Sequence, residues 1–332
     1  MVREFGQRYG VQAALLAVAC VWGWAFVAVA DAITIYPMFA FLAWRFALAT
    51  AAFVVFYPRV LKKLTLANLR MGLMAGVLLS GGYIFQTLGL DGAGRTTPAR
   101  AAFITGLYVV ITPLLQAVLL RRRPRRSTLI GGAIALAGLW VLSGIGSQSG
   151  GWVFGDTLVV ICAVIYAFHI IVLGSTGEQH DVSALTLVQL ATVALICGGI
   201  SLVKEHAAVP TDTSVIVAIV ITGVFASAVA FVVQTWAQRK LPPSRVAIIL
   251  VTETAFGGLF GWAAVGVWPL REVLGAFTMF GGLVFSEFVA GMAPSEEHVA
   301  FGPAVEGMPA PVIETSSSQL ECGIASDEDA PL

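Results

Sequence analysis

The chain has 332 residues, 58% hydrophobic and only 11% charged, with a mean hydropathy of +0.88. A soluble domain carries about 25% charged residues, so this composition excludes a soluble protein and points to an integral membrane protein. The formal charge is zero, which leaves no basic excess for nucleic acid, but it is uneven: eight acids and no Lys or Arg lie beyond Met292, leaving +8 on the rest.

Only helices and closed barrels satisfy their backbone groups in lipid. The apolar runs here are long and continuous rather than alternating in segments of about ten residues, which selects helices over a barrel. Ten runs approach the ~20 residues that cross a bilayer, at 9–30, 37–57, 70–90, 99–120, 127–145, 153–173, 183–203, 214–236, 244–267 and 271–291. The first follows Arg3 and Arg8 and ends in Ala28-Val29-Ala30, as a signal peptide would. It is longer than a signal core of about 7–15 residues, it holds Trp22, Gly23 and Trp24, and it is needed as the partner of span six. It is read as a retained helix.

Self-similarity organises the rest. Gly132–Ser143 resembles Gly275–Ser286 at an offset of 143. Trp22 matches Tyr166 at 144, Pro98-Ala99-Arg100 matches Pro243-Ser244-Arg245 at 145, and Gln86-Thr87 matches Gln234-Thr235 at 148. Two copies of five spans, an odd number, must lie in the membrane with opposite orientation. The expected fold is therefore an all-α integral membrane protein of ten transmembrane helices in two inverted five-helix repeats, residues 9–145 and 153–291. Inverted repeats of this kind characterise secondary transporters, with the substrate near the midplane where the halves meet. Residues 292–332, rich in Pro, Glu, Ser and Gly, are expected to form an acidic disordered cytoplasmic tail.

With the amino terminus inside, fourteen Lys and Arg fall in inner segments and four in outer ones. The basic-loop bias then places both termini in the cytoplasm and the protein in the cytoplasmic membrane. Cys20, Cys162, Cys197 and Cys322 have no metal-site or disulfide spacing, and no metal or cofactor is expected. No His-Asp pairing, His-Glu-x-x-His or Gly-x-Ser-x-Gly supports catalysis. A membrane-embedded enzyme remains an alternative, as does a channel-like or scaffold protein.

Ionisable groups within spans are costly and face a cavity or a partner. Arg45 lies in span two, Glu253 in span nine, His169 toward the end of span six and Glu287 near the end of span ten. Arg45 either holds a substrate carboxylate bidentately or pairs with Glu253. Low dielectric favours the neutral form of a carboxylate, which makes Glu253 the proton-coupling candidate and the proton the candidate coupling ion. His169 either lines the site or is a packing histidine, and Glu287 can snorkel to the surface. Tyr83, Gln86 and Thr87 share one face of span three, and Phe231, Gln234 and Thr235 share the matching face of span eight. These faces suit a cavity lining on the pseudo-symmetry axis; hydrogen bonds between helices are the alternative. Trp22, Tyr108 and Tyr166 are candidate aromatic lining. Trp152, Trp268 and Tyr36 fit interface anchors. The glycines of 131–138 and 275–282 are read as close helix packing, and the Arg121–Arg126 run as a topology determinant.

Several motifs resemble the ten-helix, two-domain EamA-type branch of the drug/metabolite transporter superfamily. They are Trp22-Gly23-Trp24-Ala25-Phe26, Arg45-Phe46, the stretch Thr96–Pro124, Gly155-Asp156 with Tyr166-Ala167, and Ala237-Gln238-Arg239 with Pro242-Pro243. The likeness spans about residues 10–290. Where many members carry Glu-Pro in span nine, this chain has Glu253-Thr254. Where many carry Leu-Gly-Glu before span ten, it has Gly266-Val267-Trp268-Pro269. The resemblance implies movement of small organic solutes, metabolites such as amino acids or drugs, with export the expected direction. The partners implied are that solute and the lipid bilayer; oligomeric state is not read.

Overall fold

The computed structural model describes residues 2–292 except 34, 91–93, 95, 97, 122, 144–151, 178–179, 206–208 and 267. The tail beyond Met292 lies outside the described residues, as does the side chain of Glu287. Among the described residues there are no strands, and the helices are α1 (Val2–Ile33), α2 (Met38–Phe56), α3 (Leu66–Leu90), α4 (Pro98–Gly106), α5 (Tyr108–Leu119), α6 (Arg126–Ser143), α7 (Phe154–Gly174), α8 (Val182–Lys204), α9 (Thr213–Ile221), α10 (Ala230–Gln238), α11 (Pro243–Leu250), α12 (Glu253–Val265) and α13 (Leu270–Met292). A 3₁₀ turn, Pro58–Lys63, follows α2, and a π-helical segment, Thr222–Val229, joins α9 to α10. The thirteen helices make ten rods. Eight are long and apolar enough to cross a membrane, and α1 adds a shorter apolar stretch, Gly10–Ala25.

Three rods depart from regular helices. Span four breaks at Leu107, between α4 and α5, and span nine breaks at Val251, between α11 and α12. The two residues have nearly equal dihedrals, φ −57° ψ −19° and φ −59° ψ −19°, and lie 144 apart. At each break the chain tightens to i→i+3 bonds: Val110 N donates to Leu107 O, and Thr252 N to Ile249 O. Such tightening marks hinges and strained points in helices. Around the second break the Thr252 and Thr254 hydroxyls also donate to backbone carbonyls, of Ile249 and Val251, a pattern that bends helices. The π segment is the third irregularity, in span eight.

Close packing shows the inversion of the halves. A Cβ on Gly131 would meet Gly282 O at 2.6 Å, and one on Gly138 would meet Gly275 O at 2.6 Å. As one number rises the other falls, so α6 and α13 run antiparallel with backbones in direct contact. By the same test α3 is parallel to α8 (Gly72 by Val188, Gly76 by Thr192) and antiparallel to α7 (Gly82 by Tyr166, Gly89 by Val159). These are the directions that two inverted five-rod units require. The contact glycines are related by an offset of 144, one residue from the 143 of the sequence match: Gly281 has nothing near its Cβ position, and Gly282 is the residue at the interface.

The core lies around α1, α5, α7, α10, α11 and the α6–α13 pair, with a second cluster between α2, α3, α8 and α10. Helix ends are tied across the halves. Glu205, just past α8, accepts from Phe39 N (3.0 Å) and Ala40 N (2.7 Å) at the start of α2. Asp181 caps α8 through Ser183 N and Ala184 N and pairs with Lys63 at 2.8 Å. Trp152 and Trp268 are exposed, as interface anchors would be. Tyr36 is buried against Ala40, Phe41 and Val215, because the start of α2 packs on α9 rather than facing outward.

Candidate functional site

Five aromatic rings from five helices meet inside the bundle. Trp22 of α1 lies 5.4 Å from Phe231 of α10, and Phe46 of α2 lies 5.4 Å from Tyr83 of α3 and 6.1 Å from Phe231. Tyr83 meets Tyr166 of α7 edge-on at 6.2 Å. Trp22 and Tyr166 are repeat mates, as are Tyr83 and Phe231, so the cluster straddles the pseudo-two-fold axis. Phe46 and Phe231 are buried, whereas Trp22, Tyr83, Tyr166, Gln86 and Glu253 keep part of their surface open.

Gly23 brings α1 onto span nine. A Cβ there would meet Glu253 O, Gly257 N and Phe256 Cβ, each at 2.6 Å. The glycine of the Trp-Gly-Trp stretch therefore sets Trp22 beside the start of α12. The Trp22 indole Nε1 donates to Ala226 O (2.8 Å) in the π segment.

Arg45, 5% exposed, anchors to the same segment. Its Nε donates to Ser227 Oγ (2.8 Å), its Nη2 to Ala226 O (3.3 Å), and its guanidinium lies 5.3 Å from the Phe46 ring centroid. A π turn shifts the regular i→i−4 bonding and is common at functional sites; here Ala226 O accepts from both Trp22 and Arg45. No ion pair joins Arg45 to Glu253, so that alternative is not what the structure shows: the π segment already holds the guanidinium.

Glu253 is the first residue of α12, immediately beyond the break. Tyr108 holds the matching place, first residue of α5 beyond the break in span four, 145 positions earlier. The Glu253 carboxylate makes no hydrogen bond and no ion pair among the described residues. It lies within electrostatic reach of Tyr83, Tyr108, Tyr166 and Cys162, and Arg45 within reach of Tyr83 and Tyr166. Tyr83 and Tyr166, both half-buried, thus feel one cation and one carboxylate.

The remaining sequence candidates divide. Gln86 donates from Nε2 to Thr105 Oγ1 of α4 (3.3 Å), so its amide serves helix contact as well as lining. Gln234, its mate, is buried with Oε1 unpartnered among the described residues. His169 is buried and joined through Nε2 to Gln189 Oε1 of α8 at 2.9 Å, and Gln189 Nε2 donates to Leu185 O. That is the geometry of a satisfied packing histidine. Tyr108 is buried in the core at the break rather than lining open space.

Sequence reasoning missed Ala226, Ser227, Thr105 and Gln189. The repeat offset would have flagged Gln189, which lies 144 residues after Arg45 and so marks the same depth in the other half. One shallow groove, between α2 and α8, is lined by Ala40, Ala43, Trp44, Ala194, Gly198 and Ser201 and contains no candidate. No group of three or more His, Cys, Asp or Glu that could hold a metal occurs among the described residues.

An inverted pair of five-helix units with a polar-aromatic cluster on the shared axis, and two rods broken beside it, defines a multi-pass membrane transporter. The chain belongs to the EamA-like transporter family, whose model matches residues 8–144 and again residues 153–288. It is similar to an uncharacterized transporter of Archaeoglobus fulgidus, 29% identical over 270 residues that make up 81% of each chain. A solved crystal structure of another protein shares the fold, with a TM-score of 0.71 at 17% identity, covering 85% of this chain and 98% of that one.

Proposed function

We propose that this transporter is a secondary carrier that exports a small organic solute by alternating access, with the proton as coupling ion and Glu253 as its carrier. In this reading the repeats 9–145 and 153–291 rock about the axis, the protein sits in the cytoplasmic membrane, and both termini are inside. The family's two successive matches support the division, and the basic-loop bias supports the orientation. Trp22, Tyr83, Tyr166 and Phe231 supply flat apolar faces for the solute, with Gln86 and Gln234 as polar edges. Arg45 sets the rim of the site by fixing the π segment; Tyr108 backs Glu253 at the break.

The observation that carries the proposal is the placement of Glu253. It is a carboxylate among aromatic rings, deep in the bundle, with no cationic or hydrogen-bonding partner among the described residues. An uncompensated charge at that depth is costly, and protonation or a cationic solute group removes the cost. A group that must be neutralised at each turn can couple two fluxes. The breaks on either side of the axis supply hinges in both halves, as discontinuous helices do in other carriers.

The test begins with a thermal-shift screen of metabolites and drugs on the purified protein. A stabilising compound is then assayed for counterflow in proteoliposomes. A carrier gives saturable uptake of labelled solute accelerated by unlabelled solute inside. Linear uptake indifferent to internal solute would identify a channel and refute the proposal.

A further inference from the structure

On α10 the polar face of the aromatic site continues beyond the residues that line it. Phe231, Gln234 and Gln238 stand at i, i+3 and i+7, which places them on one face of that helix. At about 1.5 Å per residue, the face descends roughly 10 Å from the aromatic cluster to the end of the bundle that carries Arg239 and Lys240. Gln234 is 2% exposed and its Oε1 has no hydrogen-bond partner among the described residues; Gln238 is fully buried, and neither its Oε1 nor its Nε2 has one there. Below them Arg239 Nη2 donates to Gly177 O at 2.9 Å, past the end of α7. Nearby His180 is 8% exposed, and its Nδ1 is also unpartnered among the described residues. Burial, with Arg239 adding to it, holds the His180 pKa below the usual imidazole value, so the ring stays neutral at physiological pH.

Buried amides are almost always hydrogen-bonded, to protein or to ordered water. Two such carboxamides one turn apart on one helix face, with His180 near the end of that helix, suit a file of bound water: each water needs two to four polar partners, and carboxamides offer both donors and acceptors. Ala237, Leu241 and Val246, close in sequence, are apolar and buried.

We propose that Gln234 and Gln238 hold a file of water that links the aromatic site to the His180 loop, and that this file is the exit by which the coupling proton passes between Glu253 and the basic-loop side. The step is a proton transfer: the Glu253 O–H bond breaks, the pair stays on the carboxylate, and the proton passes along the waters to bulk solvent. The route rests on the coupling role of Glu253, whereas the water site stands on its own.

Two experiments test it. In a background lacking the four native cysteines, Gln238→Cys and Ala237→Cys are exposed in inside-out vesicles to 2-aminoethyl methanethiosulfonate, which needs a hydrated thiolate. The file predicts modification at 238 at least ten times faster than at 237. Equal, negligible modification at both would overturn the water site. The second experiment compares rates of solute movement driven by a pH gradient and by counterflow. In Gln238→Leu the ratio of gradient-driven to counterflow rate should fall at least tenfold, and Gln238→Ser, which keeps a polar group and room for water, should restore it. A wild-type ratio in Gln238→Leu would overturn the route even if Glu253→Gln abolishes coupling. If the wild-type protein shows no gradient-driven movement, the coupling role of Glu253 fails, the proton route fails with it, and the labelling result alone decides the water site.

Discussion

The contact between α6 and α13 allows a quantitative test of the inverted architecture. In Gly138→Ala, the new Cβ would lie 2.6 Å from Gly275 O and 2.6 Å from Met279 N. Ordinary contact for a Cβ begins at 3.4 Å, so the helices must part by about 0.8 Å. Both obstacles are backbone atoms, and no flexible side chain can give way. Overpacking of this kind costs ~1–3 kcal/mol, offset in part by the ~1 kcal/mol that Ala gains over Gly in a helix. The net loss should be up to ~2 kcal/mol, and Gly131→Ala, against Gly282 O at 2.6 Å, should lose a similar amount. Gly281→Ala is the control: nothing lies within 4 Å of its Cβ position, so it should be neutral or stabilising by up to ~1 kcal/mol. Thermal unfolding in detergent, followed by circular dichroism, should rank Gly281→Ala at or above wild type and Gly138→Ala several degrees below it. Equal shifts for positions 138 and 281 would refute the register of the two halves.

Two other predictions concern helix ends. Glu205→Gln weakens the double cap on Phe39 N and Ala40 N and should cost ~0.5–2 kcal/mol, as losing a helix cap does, read as a lower unfolding temperature. For the Lys63–Asp181 pair, partial burial opposes ionisation of Asp181, but hydrogen bonds from Lys63, Ser183 and Ala184 N hold its carboxyl below the usual value. The bond to Asp181 likewise raises Lys63. The stabilisation is therefore complete between about pH 4 and pH 10. It is lost as pH falls through the depressed carboxyl value or rises through the raised amine value. Unfolding temperature against pH should show an acid decline below about pH 4 that is shallower in Lys63→Met; an unchanged acid limb in that variant would contradict the pairing.

The rods were legible in the sequence because apolar runs of bilayer length need no tertiary information. The inversion followed from an odd number of spans per copy. The breaks were not legible: Leu107 and Val251 are ordinary apolar residues, and only the second has hydroxyls beside it, of Thr252 and Thr254, that bond back to the helix. The π segment was hidden for a similar reason, since Thr222–Val229 differs from its neighbours only in which carbonyls accept which amides. Arg45 and Glu253 stood out because charge at depth is rare. Their relation did not, because it depended on Ser227 and Ala226, two small residues with no chemical signature. The glycine register slipped by one because Gly281-Gly282 and Gly131-Gly132 are doublets, and only the structure shows which member touches the partner backbone.

Solute flux in proteoliposomes containing Glu253→Gln tests most directly whether Glu253 carries the coupling proton. The amide keeps the shape and hydrogen-bonding capacity of the carboxyl but cannot release a proton. With Arg45 held by Ser227 and Ala226, the variant should fold. Counterflow exchange should remain measurable, while accumulation driven by a pH gradient should disappear. Full gradient-driven accumulation in Glu253→Gln would contradict the account.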